Sequence, residues 1–236
     1  MTLTASRRRG IRSNALGIGI ATGAYALSFG AISIASGLDV LQTQVLSLAM
    51  FTGASQFALV GVLGAGGGAI AAILTATLLG ARNGLYALHV APMLRVRGLR
   101  RLAAAQLTID ESTAMALAHE EPAAGEEPGE ASRLAFWATG LSIYVLWNVG
   151  TLLGALGASL LSDPAMLGLD AAIPAGFLAL LWPRLRERTA WAIAAAGGVL
   201  ALVLVPITRP GVPVLASALV AVVAGLWPSR RTGVTA

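Results

Sequence analysis

The stretch AIAAILTATLLGARNGLYALHVAPML, residues 69–94, carries one formal charge, Arg82, among long aliphatic runs, and the basic joint Arg95-Val-Arg-Gly-Leu-Arg-Arg101 follows it directly. A bilayer core is crossed by about 20 apolar residues rising 1.5 Å each, so this stretch is long enough to span one. The rest of the chain has the same character. Of its 236 residues 56% are hydrophobic and only 11% charged, and the mean hydropathy is +0.78. A soluble domain of this length carries about 25% charge, so there is too little polar surface to face water all round. The composition predicts an all-α integral membrane protein, multi-spanning and embedded in a bacterial cytoplasmic membrane.

All 16 basic residues are arginines, against 11 acids. They gather at Arg7, Arg8, Arg9 and Arg12, at 95–101, at 184–188 and at Arg230 and Arg231, each at the end of an apolar run. That is the placement of cytoplasmic anchors rather than of a nucleic-acid surface. With no cysteine there is no disulfide, thiolate metal site or cysteine nucleophile. Two histidines far apart in the chain argue against a metal centre, and no cofactor is expected. A chain without lysine cannot hold the Walker A sequence.

Apolar runs fall at 14–36, 41–63, 69–94, 102–118, 132–161, 167–182, 189–207 and 212–227. They predict about seven to eight transmembrane helices. The first is too long for a signal peptide's core and is expected to be retained. The fourth contains Gln106, Asp110 and Glu111; as a full span it would place two carboxyl groups near mid-bilayer, so a half-helix or a sheltered segment is the alternative. The organisation expected is a basic tail over 1–13, a first transmembrane half over 14–118, an acidic Pro/Gly linker over 119–131, a second half over 132–228 and a basic tail over 229–236. Tyr25 to Gly30 with Phe57 echoes Tyr144 to Gly150 with Phe177, consistent with two related halves. Gly-x-x-x-Gly at Gly19/Gly23 and Gly150/Gly154 lets helix backbones approach closely.

The positive-inside rule suits the back half, which alternates cleanly to a cytoplasmic C-terminus. In the front half three full crossings from Arg7–Arg12 would leave the 95–101 joint outside. Either the chain is an exception, or run 41–63 or 69–94 folds back without crossing. Glycines at 53, 61, 64 and 66–68 suit a broken or re-entrant segment.

Several polar groups interrupt the apolar runs. In Phe51-Thr-Gly-Ala-Ser-Gln-Phe57, the residues Thr52, Gly53, Ser55 and Gln56 could expose backbone N–H and C=O groups and bind a zwitterion, or could simply hydrogen-bond between helices. Arg82, Tyr86 and His89 fall on one helical face. Arg82, with Asn83 beside it, either meets a substrate carboxylate or forms an ion pair with Asp110, Glu111 or Asp170. Asp110, Glu111 and Asp170 are the acids that could exchange protons when desolvated, although Asp170 also suits an N-cap. Asn148, one turn from Tyr144 and beside Trp147, could hydrogen-bond a substrate. Ser55 with His89 raises an intramembrane serine hydrolase as a rival reading, but a Gly-x-Ser-Gly sequence is missing its last glycine. A channel or a non-transporting membrane subunit is the other rival.

The ordered set of Tyr25-Ala-Leu-Ser-Phe-Gly30, Phe51-Thr-Gly-Ala-Ser-Gln56, Arg82-Asn-Gly-Leu-Tyr86 with Ala91-Pro92, Asp110-Glu-Ser112 and Leu167-Gly-Leu-Asp-Ala-Ala-Ile-Pro-Ala-Gly176 resembles the AzlC-like branched-chain amino-acid permeases. The resemblance runs from about residue 14 to 227. It implies the large subunit of a two-component secondary transporter exporting branched-chain or other neutral apolar amino acids, with a small AzlD-type hydrophobic membrane subunit as partner. Arg82, Asp110 and Glu111 match the family pattern. Position 83 is Asn where members often have His, and position 109 is Ile where they often have Thr, so no histidine role passes to residue 83.

Overall fold

In the computed structural model the described residues are 3–122, 127–160, 187–208 and 211–226, with the single positions 178, 182 and 185. Among them are nine helices and no strand: α1 Ala5–Ala35, α2 Val40–Ala49, α3 Gly53–Gly64, α4 Ala69–Leu94, α5 Leu99–Gln106, α6 Asp110–Leu117, α7 Glu130–Ser159, α8 Arg188–Leu204 and α9 Val212–Leu226. Three of these, α1, α4 and α7, are long and apolar enough to cross a membrane. Four further apolar helices, α2, α3, α8 and α9, are shorter. Runs 41–63 and 102–118 each split into two short helices, α8 and α9 have 17 and 15 residues, and run 167–182 lies outside the described residues except at 178 and 182. Phe177, half of the internal echo, lies outside them too.

The frame of the fold is the pairing of α1 with α7. Arg8 Nη2 lies 3.1 Å from Glu130 Oε1, and the backbone N–H of Leu3 donates to Glu130 Oε2 at 3.1 Å. Further along, Gly19 faces Ser142, Gly23 faces Leu146, and Gly30 faces Thr151 and Ala155. Residue numbers rise together on both helices, so they run parallel. A Cβ on Gly150 or Gly154 would run into the backbone carbonyl of Gly23 or Leu27. The small-residue spacing read in the sequence is therefore the seam itself, where close backbone approach maximises dispersion contact. The 1–13 tail is mostly helical, since α1 starts at Ala5, and Glu130 belongs to α7 rather than to the 119–131 linker.

The α2–α3 and α5–α6 pairs are hairpins that enter from opposite ends of this frame. Leu38 N–H bonds Ser33 O at the far end of α1, and Asp39 and Gln42 cap α2 reciprocally, at 2.7 and 3.0 Å. The chain then reaches Met50–Thr52, beside Tyr144 and Trp147 near the middle of α7, and α3 returns until Gly64 packs on Ser36. From there α4 runs the full length back, bringing Met93 beside Gly129 at the start of α7. The second hairpin leaves this basic end, reaches Leu107 against Gly140, and comes back to His119, whose carbonyl accepts from Ser132 Oγ at 2.8 Å. Run 41–63 is thus the one that folds back, and the joint 95–101 lies at the same end as Arg7–Arg12. The break falls at residues 50–52, while the glycines at 64–68 form the turn into α4.

Candidate functional site

A helix ends with four carbonyls lacking an intrahelical partner, and α2 ends partway along the α1–α7 frame. Side chains satisfy these groups. Gln56 Nε2 donates to Met50 O at 2.7 Å and to Ser47 O at 3.4 Å, Tyr144 Oη to Leu48 O at 3.3 Å, and Gln106 Nε2 to Leu48 O at 2.9 Å and Ala49 O at 3.3 Å. The Gln56 carbonyl oxygen accepts from Trp147 Nε1 at 2.9 Å. Trp147 packs among Tyr25, Phe29 and Phe57, with Phe29 and Phe57 ring centroids at 6.0 and 6.4 Å from it. Gln56 makes the interhelical hydrogen bonds that were the other reading of this cluster. Its amide is fully buried and its donors and acceptor are engaged in holding the break. Asn148 is likewise committed: it donates to Tyr144 O at 2.8 Å and accepts from Gln44 Nε2 at 3.2 Å.

The two hairpin tips meet through Gln106, and Arg82 lies beside them. Arg82 stands at the middle of α4, thirteen residues after Ala69 and twelve before Leu94, so about 18 Å of helix separates it from either end. Its Nη2 lies 2.8 Å from Asp110 Oδ2, and both side chains are 32% exposed. An arginine at the centre of a membrane helix costs about 2.5–3.5 kcal/mol on the insertion scale; the carboxylate of Asp110 compensates it. Of the two readings for Arg82, the ion pair with Asp110 is formed. Asp110 and Glu111 open the first turn of α6, where the helix dipole favours negative charge. Ser112 Oγ holds that turn by accepting from Ile109 N–H at 3.1 Å and donating to Leu107 O at 2.6 Å. Glu111 is half-buried next to the pair.

This ion pair leaves valences open. Arg82 Nε, Asp110 Oδ1 and Asn83 Oδ1 are buried and have no hydrogen-bond partner among the described residues. Buried polar atoms are rarely left so, and two of these belong to the partners of one charge pair. Ser55, almost wholly buried, sits against α4 at Gly80, and Thr52 Oγ1 lies 3.5 Å from Ser55 Oγ. The first turn of α3, from Gly53, has no side-chain cap. Tyr86 lies one turn beyond Arg82 and is half-buried.

Ser55 and His89 are not brought together. Ser55 contacts α4 at Gly80, whereas His89 is nine residues further along and exposed, about 13.5 Å of helical rise away. Asp170 lies outside the described residues. No group of three or more metal-ligating side chains occurs among the described residues. Sequence reasoning missed Gln44, Gln106 and the bond from Trp147 to Gln56. Gln106 was visible as an amide inside an apolar run, but its partners lie 57 and 58 residues away.

No curated protein and no solved structure matches the chain. A family model does match, the one described as AzlC protein, over residues 17–161. That range begins within α1 and ends just beyond α7, so it takes in the α1–α7 frame, both hairpins and the Arg82–Asp110 pair. The AzlC family is a transport-associated family of multi-pass membrane proteins, and with more than half its length matched, this chain belongs to it.

Proposed function

We propose that the chain is the permeating subunit of a secondary transporter that exports branched-chain or other neutral apolar amino acids across a bacterial cytoplasmic membrane. The observation that carries this reading is the Arg82–Asp110 ion pair at the middle of α4, with unfilled valences on both partners. An amino-acid headgroup is itself a carboxylate and an ammonium. It can enter such a pair by exchange: the guanidinium of Arg82 takes the substrate carboxylate bidentately, and Asp110 takes the ammonium. Net charge in the site stays the same, so no uncompensated ion is created at mid-depth.

The surrounding groups suit the same occupant. The uncapped N–H groups of α3 at Gly53–Ser55 and the hydroxyl of Thr52 favour the carboxylate. The free amide oxygen of Asn83 suits the ammonium, and Phe51 with Tyr86 supplies an apolar wall. Glu111 beside Asp110 provides a carboxyl group through which export would be coupled to the proton gradient, and Asp170, outside the described residues, is the further acid proposed from the sequence. The basic end, with Arg7–Arg12 and the 95–101 joint together, is the cytoplasmic one by the positive-inside rule. In this reading the hairpins are re-entrant, one from each side, and the partner is a small AzlD-type hydrophobic subunit.

The test is efflux of radiolabelled leucine and valine from cells expressing the chain with and without the small subunit. Wild type should lower cell-associated label, and an uncoupler should abolish the effect. Arg82→Ala should remove export while the protein stays in the membrane at normal amount. Normal efflux by that variant overturns the site assignment.

A further inference from the structure

The basic end holds a second feature, independent of the transport site. A cleft of about 890 Å³ opens between the α4–α5 joint and the start of α7, and Arg95, Arg97, Arg100 and Arg133 line it together with Glu130 and Trp137. The one carboxylate in the lining is engaged elsewhere, since Glu130 holds Arg8 and the N–H of Leu3. Among the described residues none of the four cleft arginines has a carboxylate partner. Glu120, Glu121 and Glu127 of the acidic segment are exposed and do not bridge to them. Four guanidinium groups in one concavity, without an internal counter-ion among the described residues, call for an anion.

The backbone adds an independent sign. Arg95 closes α4 in the left-handed conformation, with φ 52° and ψ 35°, the sole non-glycine at positive φ among the described residues. Glycine occupies that position in most helices ending this way because a side chain is strained there. Arg95 thus carries backbone strain at the edge of the cleft.

The lining also decides which anion. The floor is apolar, from Leu94, Val96 and Leu134, and Trp137 contributes an amphipathic ring of the kind that sits at the headgroup level of membranes. On α5, immediately beside lining residues, Leu99 and Leu102 are 83% and 68% exposed. A free phosphate makes no use of an apolar floor and mouth. A phosphate joined to acyl chains uses both, and basic clefts between membrane helices on the cytoplasmic side suit such headgroups.

We propose that this cleft binds the phosphate headgroup of an acidic phospholipid, with Arg97, Arg100 and Arg133 as ligands and Trp137 against the glycerol region. The test uses the full chain purified from vesicles of phosphatidylcholine containing phosphatidylglycerol, with retained lipid measured by native mass spectrometry. Arg97→Ala/Arg100→Ala should retain about tenfold less phosphatidylglycerol than wild type or lower still. Arg9→Ala/Arg12→Ala, which removes equal charge from exposed positions of α1, should retain it as wild type does. Equal loss in both double variants would mean diffuse attraction and overturns the site. Thermal stabilisation by inorganic phosphate in pure phosphatidylcholine, matching that given by phosphatidylglycerol, would make free phosphate the ligand and overturns the lipid assignment. Should the first double variant not accumulate, Arg133→Gln carries the same comparison.

Discussion

The side-chain amide of Gln106 reaches the carbonyl of Leu48 at 2.9 Å, so the tip of one hairpin completes the broken end of the other. The bond links elements that enter from opposite ends of the protein and is the direct tie between their tips. Removing it frees two carbonyls at the end of α2, each otherwise reliant on Tyr144 or on water. Gln106→Ala should cost about 1 kcal/mol locally. Hydrogen exchange over residues 47–56 should then quicken by about fivefold, with the α1–α7 seam unchanged. No change in that segment would refute the tie.

Arg82 and Asp110 should behave as a coupled pair. Each is one-third exposed, so the stability cost of losing one partner stays below the 3–5 kcal/mol of a fully buried pair. Arg82→Ala and Asp110→Ala should each destabilise the protein, and the double variant should lose less than the sum of the two. Arg82→Lys should keep much of the stability and little of the efflux, because an ammonium cannot make the bidentate contact. Thermal unfolding in detergent and leucine efflux read the two effects separately; additive losses would show that the ion pair is idle.

Glycines on α7 should divide sharply. Gly154 abuts the Leu27 backbone, whereas a Cβ at Gly157 meets no atom within 4 Å. Gly154→Val should separate α1 from α7 and cost about 1–3 kcal/mol or more through overpacking. Gly157→Ala should be neutral or mildly stabilising. Yield of folded protein and its unfolding midpoint decide the matter, and equal tolerance at both positions would contradict the seam.

The hairpin arrangement makes a topological prediction that a cysteine-free chain is well placed to test. Single cysteines at the exposed positions Ala65 and Ser159 should react with an impermeant maleimide from one side of the membrane. Those at Ser6, Leu99 and Glu120 should react from the other. Labelling of Ala65 and Leu99 from the same side would rule out α4 as a full crossing.

How much of this could be read from the chain depends on the range of the interaction. Helix class, the long runs and the glycine seam follow from composition and spacing, because they need only local periodicity. The conflict between Arg7–Arg12 and the 95–101 joint offered two readings, an exception to the positive-inside rule or a run that folds back. Which run did so rested on contacts the sequence does not display: the return of Gly64 to Ser36, and of His119 to Ser132. The break at 50–52 was visible in Thr52-Gly53. The duty of Gln56 was not, since an amide that closes a helix end looks the same in one dimension as one that faces a ligand. The bond of Trp147 was not legible either, because its partner oxygen is 91 residues distant.

The seam between α1 and α7 also fixes what can move. Two long parallel rods joined backbone to backbone at Gly23, Gly30, Gly150 and Gly154, and clamped at one end by Arg8 and Glu130, form a stationary mast. Under the transport function proposed above, a passage beside Arg82 would open through the lighter hairpins leaning on that mast rather than through the mast itself.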